Sequence, residues 1–170
     1  MENYVKALLY AYPFLERTIE TYGQHVRNKA RLSYDGQVAT ETLVQYLAEE
    51  ILRKRRLEWL QTSLKEIIQS LSEKERLFIE VYFFGEWKKI SRLKEALFQE
   101  KKRKNFGKTA MRAFREQTYG IIKELLNKKG VTKTLFFEEL IKIEIIQYIY
   151  ARLKKKSQEH SFKEKAIKET

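Results

Sequence analysis

Apolar side chains recur along this chain in steps of three and four, the period of a helix with one buried face. Val5, Leu8, Leu9 and Tyr12 make a first apolar face, and Phe14, Leu15, Ile19, Tyr22 and Val26 a second. The pattern predicts one or two helices over 3–31, with Pro13 either kinking a single helix or opening the second piece as its first residue. Ser33-Tyr34-Asp35-Gly36 is the cleanest turn signal, since Asp-Gly suits positive φ. Period-two alternation is missing around it, so this turn joins helices and not strands. From a cap at Thr40 or Thr42 a long helix then runs to Ser70. Its Leu57, Leu60, Leu64, Ile67 and Leu71 step by 3, 4, 3 and 4, a heptad seam that Leu43, Tyr46, Leu47 and Ile51 extend toward the N-terminal end.

The stretch from Leu71 to Lys129 reads as three shorter helices. Ser72 and Glu75 have the spacing of a capping box, and Leu77, Phe78, Val81 and Tyr82 follow as one apolar face, closed near Gly85. Ile90, Leu93, Ala96 and Leu97 give the next helix its buried side, with Lys88, Lys89, Arg92 and Lys94 pointing elsewhere. A polar, turn-like segment from Gln99 to Gly107 leads to a third helix beginning near Lys108 or Thr109. That helix buries Met111, Phe114, Thr118, Ile121, Ile122 and Leu125. Beyond Gly130 one more helix is expected, capped by Thr132 or Thr134. Apolar residues crowd it on more than one face, so it is buried on two sides or meets another chain. From Lys154 the tail turns charged and is expected to fray, a short terminal helix being the alternative. The fold class is all-α, divided into segments 1–70, 71–129 and 130–170.

Composition supports this and changes one thing. The 170 residues include one Pro, six Gly and no Cys, with 43% hydrophobic residues. Long helices therefore meet few breakers, a packed core is affordable in material, and disulfides, thiolate metal sites and Cys nucleophiles are excluded. The N-terminus shows no charged-then-apolar signal segment, and no run approaches the roughly 18 apolar residues of a membrane span. A cytoplasmic protein with no membrane association is expected.

What changes the picture is where the charge lies. The formal net charge is +12, and residues 88–129 hold 14 Lys or Arg against four Glu. Residues 1–71 carry ten basic and nine acidic side chains, and 130–170 carry nine and six. A helical quarter with nearly all the excess is a candidate polyanion-binding surface. The other basic run, Arg53-Lys54-Arg55-Arg56, lies beside Glu49, Glu50 and Glu58, where ion pairs on a solvated face account for it.

The order of parts from Leu71 on resembles the C-terminal region 4 of sigma-70-type factors. It is also similar to the sigma-like helix-turn-helix regulators carried by phages and prophages of Gram-positive bacteria. Leu71, Ser72, Glu75, Arg76, Phe84, Gly85, Thr109, Ala110, Arg112 and Arg115 stand where that family has its recurring residues. The match covers about 55 residues, a third of the chain. One departure is the long basic Gln99–Gly107 segment in place of the family's tight turn. The resemblance implies a helix-turn-helix and a sequence-specific transcription regulator, with double-stranded DNA as partner and RNA polymerase as a further one. In that arrangement Lys88, Lys89, Arg92, Lys101, Lys102, Arg103 and Lys104 hold phosphates. The start of the third helix, with Lys108, Thr109, Arg112 and Arg115, enters the groove, and Arg112 and Arg115 read bases.

Nothing points to an enzyme. Gly107-Lys108-Thr109 lacks the glycine a phosphate-binding loop needs at 102, where Lys stands. His25 and His160 have no partners at metal-ligand spacing, Asp35 is the only Asp, and Glu49-Glu50 and Glu138-Glu139 point to different helix faces. No cofactor or metal is expected. The alternative to a DNA-binding regulator is an all-helical adaptor that binds another protein through its long and C-terminal helices. Surplus apolar surface also leads us to expect a homodimer, joined through the C-terminal helix around Ile141, Ile145, Tyr148 and Ile149.

Overall fold

The computed structural model describes residues 2–34, 40–99 and 108–168. These residues form α-helices and two short 3-10 turns, so the protein is all-α. In order they are α1 (Asn3–Tyr34), α2 (Thr40–Ser70), α3 (Glu73–Tyr82), α4 (Ile90–Gln99), α5 (Lys108–Lys128), α6 (Lys133–Glu138) and α7 (Glu144–Lys168). The 3-10 turns are Trp87–Lys89, leading into α4, and Leu140–Lys142, between α6 and α7. The turn expected at 33–36 and the basic segment Lys101–Lys104 lie partly or wholly outside the described residues.

The hub is the first four turns of α1. Tyr4, Val5, Ala7, Leu8, Leu9, Ala11 and Leu15 are all buried there, more positions than one helical face supplies. A helix that is apolar around most of its circumference has to be surrounded, and this one is. It packs along α2 on one side and α7 on another, and α5 touches it as well. Rings extend the contacts: Tyr4 meets Phe136 of α6 at 5.7 Å, Tyr10 meets Phe83 at 4.7 Å, and Tyr12 stacks on Phe84 at 5.3 Å. One cluster of buried side chains runs through all three segments of the sequence. Pro13 neither breaks α1 nor starts a new helix, because the assigned helix continues through it. Lacking an N–H, it leaves only the Leu9 carbonyl without its helical donor.

The long helix α2 supplies its seam as expected: Leu57, Leu60, Leu64, Ile67 and Leu71 are buried. The extension of that seam holds for Leu43 but not for Ile51, which is exposed. Glu50 takes the inward place instead and its Oε1 accepts a hydrogen bond from the Arg53 guanidinium at 2.7 Å, which makes its burial tolerable. The basic run is paired as foreseen. Arg53 also meets Glu49, Lys54 meets Glu58 at 3.1 Å, and Arg56 reaches across to Glu139 at 2.8 Å.

The C-terminal part departs from expectation. Instead of one helix, α6 is followed by a 3-10 turn and then α7. Thr132 caps α6, its hydroxyl accepting from the Leu135 N–H at 3.2 Å. The break explains the crowded apolar pattern. Leu140 in the 3-10 turn, Ile143 in the extended link and Ile146 in the first turn of α7 are all buried. Extended backbone at Ile143 (φ −79°, ψ 120°) then sets a new start for α7. The tail expected to fray continues α7 as far as Lys168. Among the described residues no helix is long and apolar enough to cross a membrane.

Candidate nucleic-acid interface

The charged segment is built around α3. Its N-terminus is fixed by Glu75, whose Oε2 accepts from the Ser72 N–H at 2.9 Å and the Ser72 hydroxyl at 2.7 Å. Burial of Leu77, Phe78, Ile79 and Val81 seats it, and Phe78 is the ring on which α5 rests. Phe114 and Tyr119 of α5 both lie 5.8 Å from it, edge to face, and Tyr82 and Phe83 lie at 4.9 and 6.4 Å. The α3 helix ends at Tyr82. Gly85, at φ +75°, then turns the chain while the Glu86 N–H donates to the Glu80 carbonyl at 3.0 Å.

On α5, Thr118, Ile122 and Leu126 are fully buried, with Met111, Phe114, Ile121 and Leu125 half-buried beside them. This is the expected stripe with Leu126 added. The end of α5 is a Schellman closure: Gly130, at φ +79°, donates to Asn127 at 3.0 Å, and the buried Val131 N–H donates to Leu126 at 2.9 Å. A helix-turn-helix packs its last two helices on one another. Among the described residues, α4 packs on α3 and its own 3-10 turn, whereas α5 packs on α2, on α1 and on the rings of α3.

The basic residues of 88–129, those expected to contact DNA among them, divide into paired and unpaired. Lys89 is held by carboxylates: it meets Glu80 at 3.0 Å and Glu86 at 2.6 Å, and hydrogen bonds to these two acids, Glu86 first, raise its pKa. Arg92 faces Glu73 at 3.7 Å, and Arg112 donates to Glu116 at 3.1 Å. Farther along α5, Lys123 bonds Glu2 and Lys129 bonds Glu66. Lys88, Lys94, Arg115 and Lys128 are exposed and have no ion-pair partner among the described residues. Thr109 is exposed in the first turn of α5, and Lys108 is its first residue. Lys101, Lys102, Arg103 and Lys104 lie outside the described residues.

One participant was not expected. Lys6, in the second turn of α1, comes close enough to Arg115 for the two charges to interact. Burial pushes the Lys6 ammonium below its ordinary range, and the Arg115 guanidinium pushes it the same way. The two cations disfavour one another here, a condition that a bound anion would relieve. Beside them Tyr119 is pushed up to about 12, by burial first. Nothing in the sequence joins positions 6 and 115. Only the packing of α5 across α1 does.

His25 accepts or donates a 2.7 Å hydrogen bond with the Tyr46 hydroxyl, tying α1 to α2. Among the described residues no group of three His, Cys, Asp or Glu is placed to hold a metal. Fold and surface together define an all-α protein with exposed basic residues on α4, on the turn before it and on α5. No protein-family model matches the chain, and no curated protein or solved structure matches it.

Proposed function

We propose that the protein is a sequence-specific transcription regulator that binds duplex DNA along α5 and the start of α4. The observation behind this reading is the charge: 14 basic against four acidic residues over 88–129 in a chain otherwise near neutrality. The exposed Lys88, Lys94, Arg115 and Lys128 carry charge that no carboxylate of the described residues balances, and Lys6 adds to Arg115. Lys101–Lys104 would extend the phosphate contacts. The likeness of Leu71–Gly85 and Thr109–Arg115 to sigma region 4 is the reason to expect duplex DNA and a regulator in particular. Contact with RNA polymerase would follow from the same likeness.

The pairing pattern refines the division of labour. Arg115 is available as it stands, whereas Arg112 must exchange Glu116 for a base. Exposed ion pairs are worth about 0–1 kcal/mol, so that exchange costs little. Fluorescence anisotropy with labelled duplexes selected from genomic fragments tests the reading. If about six phosphates are neutralised, log affinity falls with log salt at a slope of roughly −5. Arg115→Ala should lower affinity for selected DNA by about 1–3 kcal/mol more than for random DNA if it reads a base. Lys6→Ala should weaken both equally. Absence of binding at low salt, or binding that ignores salt, refutes the proposal.

A further inference from the structure

We propose that the outer face of α2 is a homodimer interface in which a second copy of this chain lies antiparallel, about a twofold axis between Ile51 and Leu52. This inference is independent of the DNA reading. It begins with exposed apolar side chains on α2, of which Trp59 also approaches the turn at Gly130. Val44 is 60% exposed, Ile51 39%, Leu52 51% and Trp59 39%. With Ala48 and Arg55, also exposed, they step along α2 by four, three or four, four and four residues. That spacing puts them on one face, opposite the seam of Leu57, Leu60, Leu64 and Ile67 that packs inward. A helix apolar on two opposite faces is expected between two partners, and this one has a partner on only one side.

The occupant follows from the symmetry of the stripe. An antiparallel helix pair matches positions whose numbers sum to a constant. Taking the centre between 51 and 52, Val44 comes opposite Trp59 of the second copy, Ala48 opposite Arg55, and Ile51 opposite Leu52. Every member of the stripe finds its counterpart within the stripe, large against small at the ends and two branched residues at the centre. A twofold interface needs such self-complementarity.

Charge agrees with the same centre. The 12 residues before it, 40–51, contain three Glu and no Lys or Arg. The 12 after it, 52–63, contain four basic residues and one Glu. Antiparallel pairing lays the acidic half of each copy along the basic half of the other, whereas parallel pairing sets like against like. Of the basic run, Arg53, Lys54 and Arg56 are matched within their own chain. Arg55 has no partner there among the described residues, and in the pair it lies beside the acidic half of the second copy.

The C-terminal surface expected from the sequence is less suited. Ile141, Ile145 and Ile149 are half-buried against the core, and only Tyr148 stands out, across from Phe14 in a groove of about 690 Å³ between α1 and α7.

The chain has no cysteine, so single cysteines report the geometry directly. In the antiparallel pair, residue 52 of each copy lies at the axis. Residues 44 of the two copies are about 22 Å apart along the helices, at about 1.5 Å per residue. A disulfide spans no more than about 7 Å between Cα atoms. Leu52→Cys on the full chain should therefore cross-link under oxidation. Val44→Cys and Trp59→Cys should each fail alone, but mixed together they should give a cross-linked pair. Sedimentation equilibrium of the cysteine-free chain should show a dimer at micromolar concentration. Leu52→Glu, a change at an exposed site that leaves the circular dichroism unchanged, should weaken it at least tenfold. A monomer at all concentrations overturns the inference and assigns the α2 face to another protein. Cross-linking of Val44→Cys with itself overturns the antiparallel arrangement, and a dimer indifferent to Leu52→Glu places the interface elsewhere.

Discussion

Phe78 is the ring of α3 that meets two rings of the basic helix α5, and its removal should be costly in a measurable way. It is 1% exposed and sits within 6.4 Å, ring to ring, of Tyr82, Phe83, Phe114 and Tyr119. Phe78→Ala loses the transfer free energy of a buried ring and leaves a cavity walled by rings that belong to two helices. Such substitutions cost about 3–5 kcal/mol. Edge-to-face ring pairs contribute about 0.5–1.5 kcal/mol beyond area, and two of them, with Phe114 and Tyr119, cross from α3 to α5. That places this site toward the upper end of the range, about 4–5 kcal/mol. Phe78→Leu refills much of the volume but loses the ring contacts, so about 1–2 kcal/mol should separate it from the parent chain. Urea unfolding followed by circular dichroism gives both numbers, provided the slope with denaturant is unchanged. Tyr82→Ala is the internal control: more than a third of that residue is exposed, and the loss should stay well below that of Phe78→Ala. A loss under about 1 kcal/mol for Phe78→Ala would refute the packing of α5 on α3.

Two glycines should respond with opposite signs: at Gly120, exposed in mid-α5 with open space where a Cβ would go, Ala should stabilise by about 0.5–1 kcal/mol. At Gly85 the space is equally open but φ is +75°, so Ala should destabilise by about 1–2 kcal/mol through backbone strain alone, as read in the same urea titrations. Tyr119 sets an alkaline limit. Its hydroxyl is raised from 10.0 to about 12 when folded, so above pH 10 the unfolded chain loses a proton the folded one keeps. Stability should fall between pH 10 and 12 by up to about 2 kcal/mol, and Tyr119→Phe should flatten that part of the pH profile in thermal melts.

Much of the fold is legible in the sequence because helical period, caps and breakers act locally. The seam from Leu57 to Leu71, the Ser72–Glu75 start of α3 and the left-handed Gly85 beyond its end depend on residues within a few positions of one another, and each appears as read. The C-terminal region is misread, and Pro13 is left open between one helix and two, for a different reason. Whether α1 runs through a proline depends on how strongly its flanking turns are held, and α1 is packed by helices from every part of the chain. The segment after Gly130 has enough apolar residues for two faces of one helix, and the pattern alone does not tell that from one face of a helix broken by a 3-10 turn. The choice is made by Phe136, which must meet Tyr4 and Tyr150, and by Leu140 and Ile143, which must reach the same core.

The candidate site is legible as a total and not as a distribution. Counting charges over 88–129 identifies a basic quarter, but partners decide which of those charges face outward uncommitted. Glu73 and Glu80 of α3 and Glu86 of the connection after it lie outside residues 88–129, and they engage Lys89 and Arg92. Glu2 and Glu66, still farther off, engage Lys123 and Lys129. Lys6, which the sequence reading does not single out, comes within electrostatic reach of Arg115 where α5 packs on α1. The positive edge is therefore narrower than the sequence suggests and shifted toward the N-terminal helix. Because Lys6 is disfavoured as a cation by burial and by Arg115, a bound anion would raise its pKa again. Anion capture at this spot is then linked to proton uptake, so affinity should decline as pH rises toward the Lys6 pKa and Lys6→Ala should abolish that decline.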